Sequence, residues 1–200
     1  MTLYELKPRF QSLLRPMVAT IARLGVTANQ VTLAAALLSV GIGAFVAARA
    51  DTPAVFVLLP AWLFVRMAFN AIDGMLAREF GQQTRLGAYL NELTDVVSDA
   101  ALYLPFAFVA PFSAHWVWAV IALAGLSEFA GALGQGLGGI RRYDGPMGKS
   151  DRAFVFGALG AWVAMAAPLP AMAAWVMPVI AALLAWTVFN RVRRGLRPAA

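Results

Sequence analysis

Long apolar runs constrain this chain more than any other feature. Windows at roughly 31–50, 53–76, 86–111, 115–139, 152–168 and 169–189 each approach the ~20 mostly apolar residues that a helix needs to cross a bilayer. The last two are parted only by Ala167-Pro168-Leu169-Pro170, a sequence suited to a tight turn. Composition agrees: 61% of the 200 residues are hydrophobic and 13% are charged, with a mean hydropathy of +0.72. A soluble domain carries roughly 25% charged residues. This chain could not cover itself with polar surface, so lipid is its expected solvent.

Charge placement sets the expected topology. Lys7, Arg9, Arg15 and Arg23 precede the first window, and Arg78 and Arg85 fall between the second and third. Arg141, Arg142, Lys149 and Arg152 lie between the fourth and fifth, and Arg191, Arg193, Arg194 and Arg197 follow the sixth. The alternate loops hold only Arg49 of the basic residues. By the positive-inside rule, both termini are expected in the cytoplasm. The expected fold is an all-α membrane protein, one domain over 1–200. A six-helix bundle over 31–189 follows an amphipathic interfacial segment over 1–25. In that segment Leu3, Leu6, Phe10, Leu13, Met17, Ile21 and Leu24 recur every three or four residues, as on a basic helix lying on headgroups. Pro8 and Pro16 are expected to break or kink it. Thr27 and Gln30 have the spacing of a capping box at the first span. The same Lys7, Pro8, Arg9, Arg15 and Pro16 argue against a cleavable signal peptide. Cysteine is absent, which excludes disulfides and thiolate metal sites. The single histidine, His115, sits beside Trp116 and Trp118 and reads as interfacial.

Ionisable groups inside apolar spans are costly, and here they are concentrated. Asn70 and Asp73 are three residues apart on one face of the second span, with Arg66 a turn earlier. Asn91, Asp95 and Asp99 repeat every four residues as one stripe on the third, with Glu92 beside it. Such groups can be simple interhelical hydrogen-bonding partners. That reading suits Asn70 or Asn91 alone, but not three carboxylates within eight residues of one apolar helix, which repel unless cations lie among them. Two facing stripes of oxygen donors suit hard cations such as Mg²⁺ or Mn²⁺. A transporter would use the same carboxylates, but no inverted repeat or paired broken helices accompany them.

The segment Asn70-Ala-Ile-Asp-Gly-Met-Leu-Ala-Arg78, followed by Gly87-Ala-Tyr-Leu-Asn91-Glu-Leu-Thr-Asp95, resembles the CDP-alcohol phosphotransferase signature D-x2-D-G-x2-A-R-x8-G-x3-D-x3-D. Asp73, Gly74, Ala77, Arg78, Gly87 and Asp95 match at the required spacing, while Asn70 and Asn91 replace two of its aspartates. The resemblance implies transfer of a phosphatidyl group from a CDP-linked lipid such as CDP-diacylglycerol to an alcohol, releasing CMP. It further implies a bacterial inner membrane, a homodimer and Mg²⁺ or Mn²⁺. Asp95 is then the candidate general base, and Asn70, Asp73, Asn91 and Asp95 the candidate metal ligands. Glu92 and Asp99 are further candidates that would restore charge. Three outcomes stay open: altered ligands, a single metal, or a catalytically impaired homologue that only binds lipid or nucleotide.

Asn29, Thr32, Gly74, Ala77, Arg78 and Gly87 are the implied CDP contacts. Taken alone, Asn29 and Thr32 could cap a helix, Gly74 and Ala77 could serve close packing, and Arg78 could be an ordinary cytoplasmic-side charge. Arg141, Arg142, Lys149 and Arg152 frame Gly145, Pro146 and Gly148 in a turn-forming loop. The resemblance implies that they bind an acceptor, such as a sugar or polyol phosphate; the positive-inside rule explains them equally without one. Gly148-Lys149-Ser150 is no phosphate-binding P-loop, because Tyr143 stands where the first glycine belongs. Glu128 is intramembrane and is expected to pair with Arg66 or an acceptor. No nucleic-acid partner is expected.

Overall fold

A computed structural model describes residues 3–137 and 139–196, with side chains from residue 10 onward. Arg197 lies outside the described residues, as do the side chains of Leu3, Leu6, Lys7, Pro8 and Arg9. Among the described residues there are seven α-helices and no strand: α1 (Leu3–Arg23), α2 (Ala28–Ala48), α3 (Leu58–Glu79), α4 (Arg85–Tyr103), α5 (Ala114–Gly136), α6 (Lys149–Ala166) and α7 (Val176–Gly195). Short 3-10 turns at Pro53–Val57, Leu104–Phe108 and Ala171–Trp175 run directly into or out of helices, each near a proline.

Four segments are long and apolar enough to cross a membrane: Ala28–Ala48, Pro53–Glu79, Ala114–Gly136 and Ala171–Gly195. The helices α4 and α6 fall short of that standard, and the reason is local. Glu92, Asp95 and Asp99 interrupt α4, and Lys149, Asp151 and Arg152 open α6.

Thr27 caps α2 as its spacing predicts. Its hydroxyl accepts from the Gln30 N–H at 3.2 Å, and Gln30 Oε1 accepts from the Thr27 N–H at 2.9 Å. Contrary to the expectation of a break, α1 runs unbroken through Pro8 and Pro16. Tertiary packing sustains it: Val18 is fully buried with Ile72, Met75 and Leu76 of α3, and Leu14, Ile21 and Ala22 pack alongside. Leu13, Met17 and Leu24 remain exposed. Thus α1 has two apolar faces, one against the bundle and one turned away.

Within the bundle α2 packs on α3 and α4, α3 on α6, and α5 on α4 and α7. Small residues permit the tight crossings, as is usual where hydrophobic burial cannot drive helices together in lipid. A Cβ on Gly160 of α6 would lie 3.0 Å from Phe56 O, and Gly43 of α2 meets the Ala101 backbone of α4 more closely still. Aromatics fill the centre, with Tyr103 stacked on Phe156 and Phe106 edge-on to Phe56, Phe112 and Phe156.

The basic loops meet at one end of the bundle. Arg15 of α1 pairs with Glu79 at the end of α3, and Gln82 Oε1 accepts from the Ala28 N–H at 2.7 Å. From the α5–α6 loop, the Arg142 guanidinium reaches Arg194 O of α7 at 2.6 Å. Gly145, at φ +122°, turns this loop against Thr187, where any Cβ would stand 2.7 Å from its backbone.

Candidate active site

The site lies where α2, α3, α4 and α6 converge near that end. On α3, Asp73 is buried and its Oδ2 lies 2.8 Å from Thr32 Oγ1 of α2. One turn of α4 after Asn91 comes Asp95, also buried, whose two oxygens have different partners. Arg66 Nη2 donates to Asp95 Oδ1 at 3.0 Å, and the Lys149 ammonium bonds Oδ2. Asn70 and Asn91 are half-buried on the same stripes as Asp73 and Asp95.

The expected CDP contacts lie on α2, α3 and the start of α4, the helices that carry the site. Gly87 opens α4, its N–H donating to the N-cap hydroxyl of Thr84 at 2.9 Å. A Cβ on Gly87 would lie 2.7 Å from Asn29 Oδ1, so a glycine lets the starts of α2 and α4 approach. The Arg78 guanidinium folds back over Gly74, where a Cβ would stand 2.8 Å from Nη2. Ala77 packs on the apolar cluster beneath α1.

Deeper in the bundle the charges alternate. Arg66 Nη1 donates to Asp99 Oδ1 at 2.5 Å, and Arg152 Nη2 donates to Asp99 Oδ2 and Glu128 Oε1, each at 2.9 Å. Arg152 Nη1 reaches Ser127 Oγ and Met147 O, both at 3.2 Å. Glu128 also takes Arg141 Nη2 at 2.9 Å and Arg191 Nη1 at 3.4 Å, and Glu92 pairs with Arg141. Two expectations change here. Glu128 pairs with Arg141, Arg152 and Arg191, not with Arg66, because Arg66 is held by α4. The carboxylates of α4 do have cations among them, but these are the chain's own side chains. Arg152, at 1% exposed, points into the bundle with its donors engaged, whereas Arg142 and Lys149 are only half-buried.

Chemically, the two stripes carry hard oxygen donors: two carboxylates and two carboxamides, with the Thr32 hydroxyl on Asp73. Among the described residues, no three His, Cys, Asp or Glu side chains converge. Any cation held here would draw on the Asn70 and Asn91 carbonyl oxygens beside Asp73 and Asp95, a donor chemistry that suits Mg²⁺ or Mn²⁺.

Residues 25–189 match the family model described as CDP-alcohol phosphatidyltransferase. The chain belongs to that family. It is 50% identical over 199 residues to the inner membrane protein YnbA of Escherichia coli (strain K12), covering 98% of this chain and 97% of that protein. Its fold resembles Mycobacterium tuberculosis phosphatidylinositol phosphate synthase in complex with manganese and citrate, with a TM-score of 0.73 at 20% identity, covering 92% of both chains. The same synthase with CDP-DAG bound gives a TM-score of 0.69, covering 92% of this chain and 97% of that one. The family expected from the signature is therefore shown over most of the chain.

Sequence reading missed the buried partners. Arg191 read as one of several cytoplasmic-side charges, yet it is 2% exposed and its Nε has no hydrogen-bond partner. Only its helical register, one turn after Thr187 on a face otherwise filled by Leu184 and Ile180, hinted at an inward direction.

Proposed function

We propose that this protein transfers a phosphatidyl group from a CDP-diacylglycerol-like lipid to an alcohol acceptor and releases CMP. The observation that carries this reading is the pair Asp73 and Asp95, on facing helices beside Asn70 and Asn91 within a family match. The Asp95 carboxylate takes the proton of the acceptor hydroxyl as its oxygen attacks the lipid-bearing phosphorus. That phosphorus–oxygen bond forms as the bond to the CMP phosphate breaks, and CMP leaves. Asp73, Asp95, Asn70 and Asn91 hold a divalent cation, which when bound neutralises pyrophosphate charge. Asp99 and Glu92, engaged by arginines, serve as structural anchors rather than ligands.

Asn29, Thr32, Gly74, Ala77, Arg78 and Gly87 form the CDP cradle. Gly74 and Gly87 let Arg78 and Asn29 lie close against the backbone of α3 and α4, and Arg78 meets phosphate. Arg141, Arg142 and Lys149 receive an acceptor that is itself a polyol phosphate, and Arg152 holds this basic arm in place from below. The chain is one domain in a bacterial inner membrane, with α2 to α7 as six spans and both termini cytoplasmic. In this arrangement α4 and α6 cross with their charges turned inward, and α1 lies at the headgroups with Leu13, Met17 and Leu24 toward lipid. A homodimer accords with the family.

The test is direct. Purified protein is given CDP-diacylglycerol, Mg²⁺ or Mn²⁺ and a panel of alcohols and polyol phosphates, and CMP release is followed. Release with one acceptor supports the reading. A folded protein that binds the labelled lipid but releases no CMP with any acceptor would instead be a binding homologue.

A further inference from the structure

We infer that Lys149 is a built-in counter-cation of Asp95, so that this chain holds one divalent cation between Asp73 and Asp95 and not two. The inference rests on the metal-dependent reading above and specifies how its site is charged. Lys149 is the first residue of α6, where the helix dipole disfavours an ammonium. It is nevertheless bonded to Asp95 Oδ2, with its side chain 35% exposed against 12% for Asp95. The attraction of the carboxylate therefore holds it against the local backbone field.

The other acids cannot supply charge to a second cation. Asp99 is shared by Arg66 and Arg152, Glu128 by Arg141, Arg152 and Arg191, and Glu92 by Arg141. Asn70 and Asn91 are neutral. Two carboxylates remain, and Asp95 is itself shared with Arg66 and Lys149; counting Lys149, one divalent cation already takes their local charge from −1 to +1. A second would raise that to +3 in a half-buried site, with Arg66 on the far side of Asp95. The flexible four-carbon stem of Lys149 lets its ammonium stay near Asp95 beside a single ion.

Metal-stripped, full-length protein in detergent is titrated with Mn²⁺ alone, followed by calorimetry and electron paramagnetic resonance. The expected result is one Mn²⁺ per chain with the spectrum of an isolated ion. Two Mn²⁺ per chain with a coupled spectrum would overturn the inference and leave the transferase reading intact. A folded protein that binds no Mn²⁺ would overturn both the inference and the metal dependence. Lys149→Met should tighten Mn²⁺ binding by roughly tenfold or more, since a like charge is removed from its neighbourhood; unchanged affinity counts against Lys149. Asn70→Asp/Asn91→Asp/Lys149→Met should take up a second Mn²⁺, and a variant still limited to one would show that charge does not set the number.

Discussion

Asp95 joins three parts of the chain: α4 carries it, α3 supplies Arg66 to one oxygen, and α6 supplies Lys149 to the other. This places a carboxylate between fixed cations without burying it beyond reach. Asp95→Asn keeps the shape and removes the basic oxygen. It should lower CMP release by roughly 10²–10⁴-fold, the usual range for a positioned base, while circular dichroism shows the helices retained. Thr32 acts on the neighbouring acid by donating to Asp73. Thr32→Val removes a hydrogen bond to a charged group, and thermal unfolding in detergent should record a loss of about 1–3 kcal/mol. Melting at the wild-type temperature would mean that the Thr32 hydroxyl serves Ala28 O instead.

At the scale of elements, buried charges connect helices that small residues bring together. Arg152 ties α6 to Asp99 of α4 and Glu128 of α5, and Arg191 adds α7. Arg152→Met takes one cation from each of two buried carboxylates, but Asp99 keeps Arg66 and Glu128 keeps Arg141 and Arg191. The roughly 3–5 kcal/mol of a buried pair broken outright is therefore the upper bound, and about 1–3 kcal/mol is expected. Denaturation in detergent should report a loss of that order. Adding Asp99→Leu should return part of it, because an apolar pair then replaces a buried carboxylate left with Arg66 alone. If the double variant is less stable than Arg152→Met, the Asp99 and Arg66 contact matters more than the Asp99 and Arg152 one. The amphipathic α1 is also an element-scale matter. Its period is visible in sequence, but which apolar stripe faces α3 depends on the surface that α3 offers, and Val18 fills it.

Over the whole molecule, the basic loops share one end and the loop bearing Arg49 and Asp51 lies after the opposite end of α2. The absence of cysteine provides a clean background for testing the orientation. Single cysteines at Asp144→Cys and Asp51→Cys should be labelled by an impermeant thiol reagent from opposite sides of the membrane, Asp144→Cys only when the cytoplasmic face is open. Labelling of both from the same side would refute an odd number of crossings between them.

Apolar runs and a spaced signature made much of this protein legible before any coordinates. Helices, the Thr27 cap and the family follow from patterns set within about one to two dozen residues, which is the range over which hydropathy and hydrogen-bond spacing act. The acids at 73 and 95 were visible because a charge in an apolar run is conspicuous whatever it touches. Their partners were not. Arg66, Arg152 and Arg191 lie from 24 to 63 positions away from the acids they bind, and an arginine looks the same whether it faces water or a buried glutamate. Packing chose between those directions, because α3, α4, α5, α6 and α7 close together only if each inward charge meets its opposite.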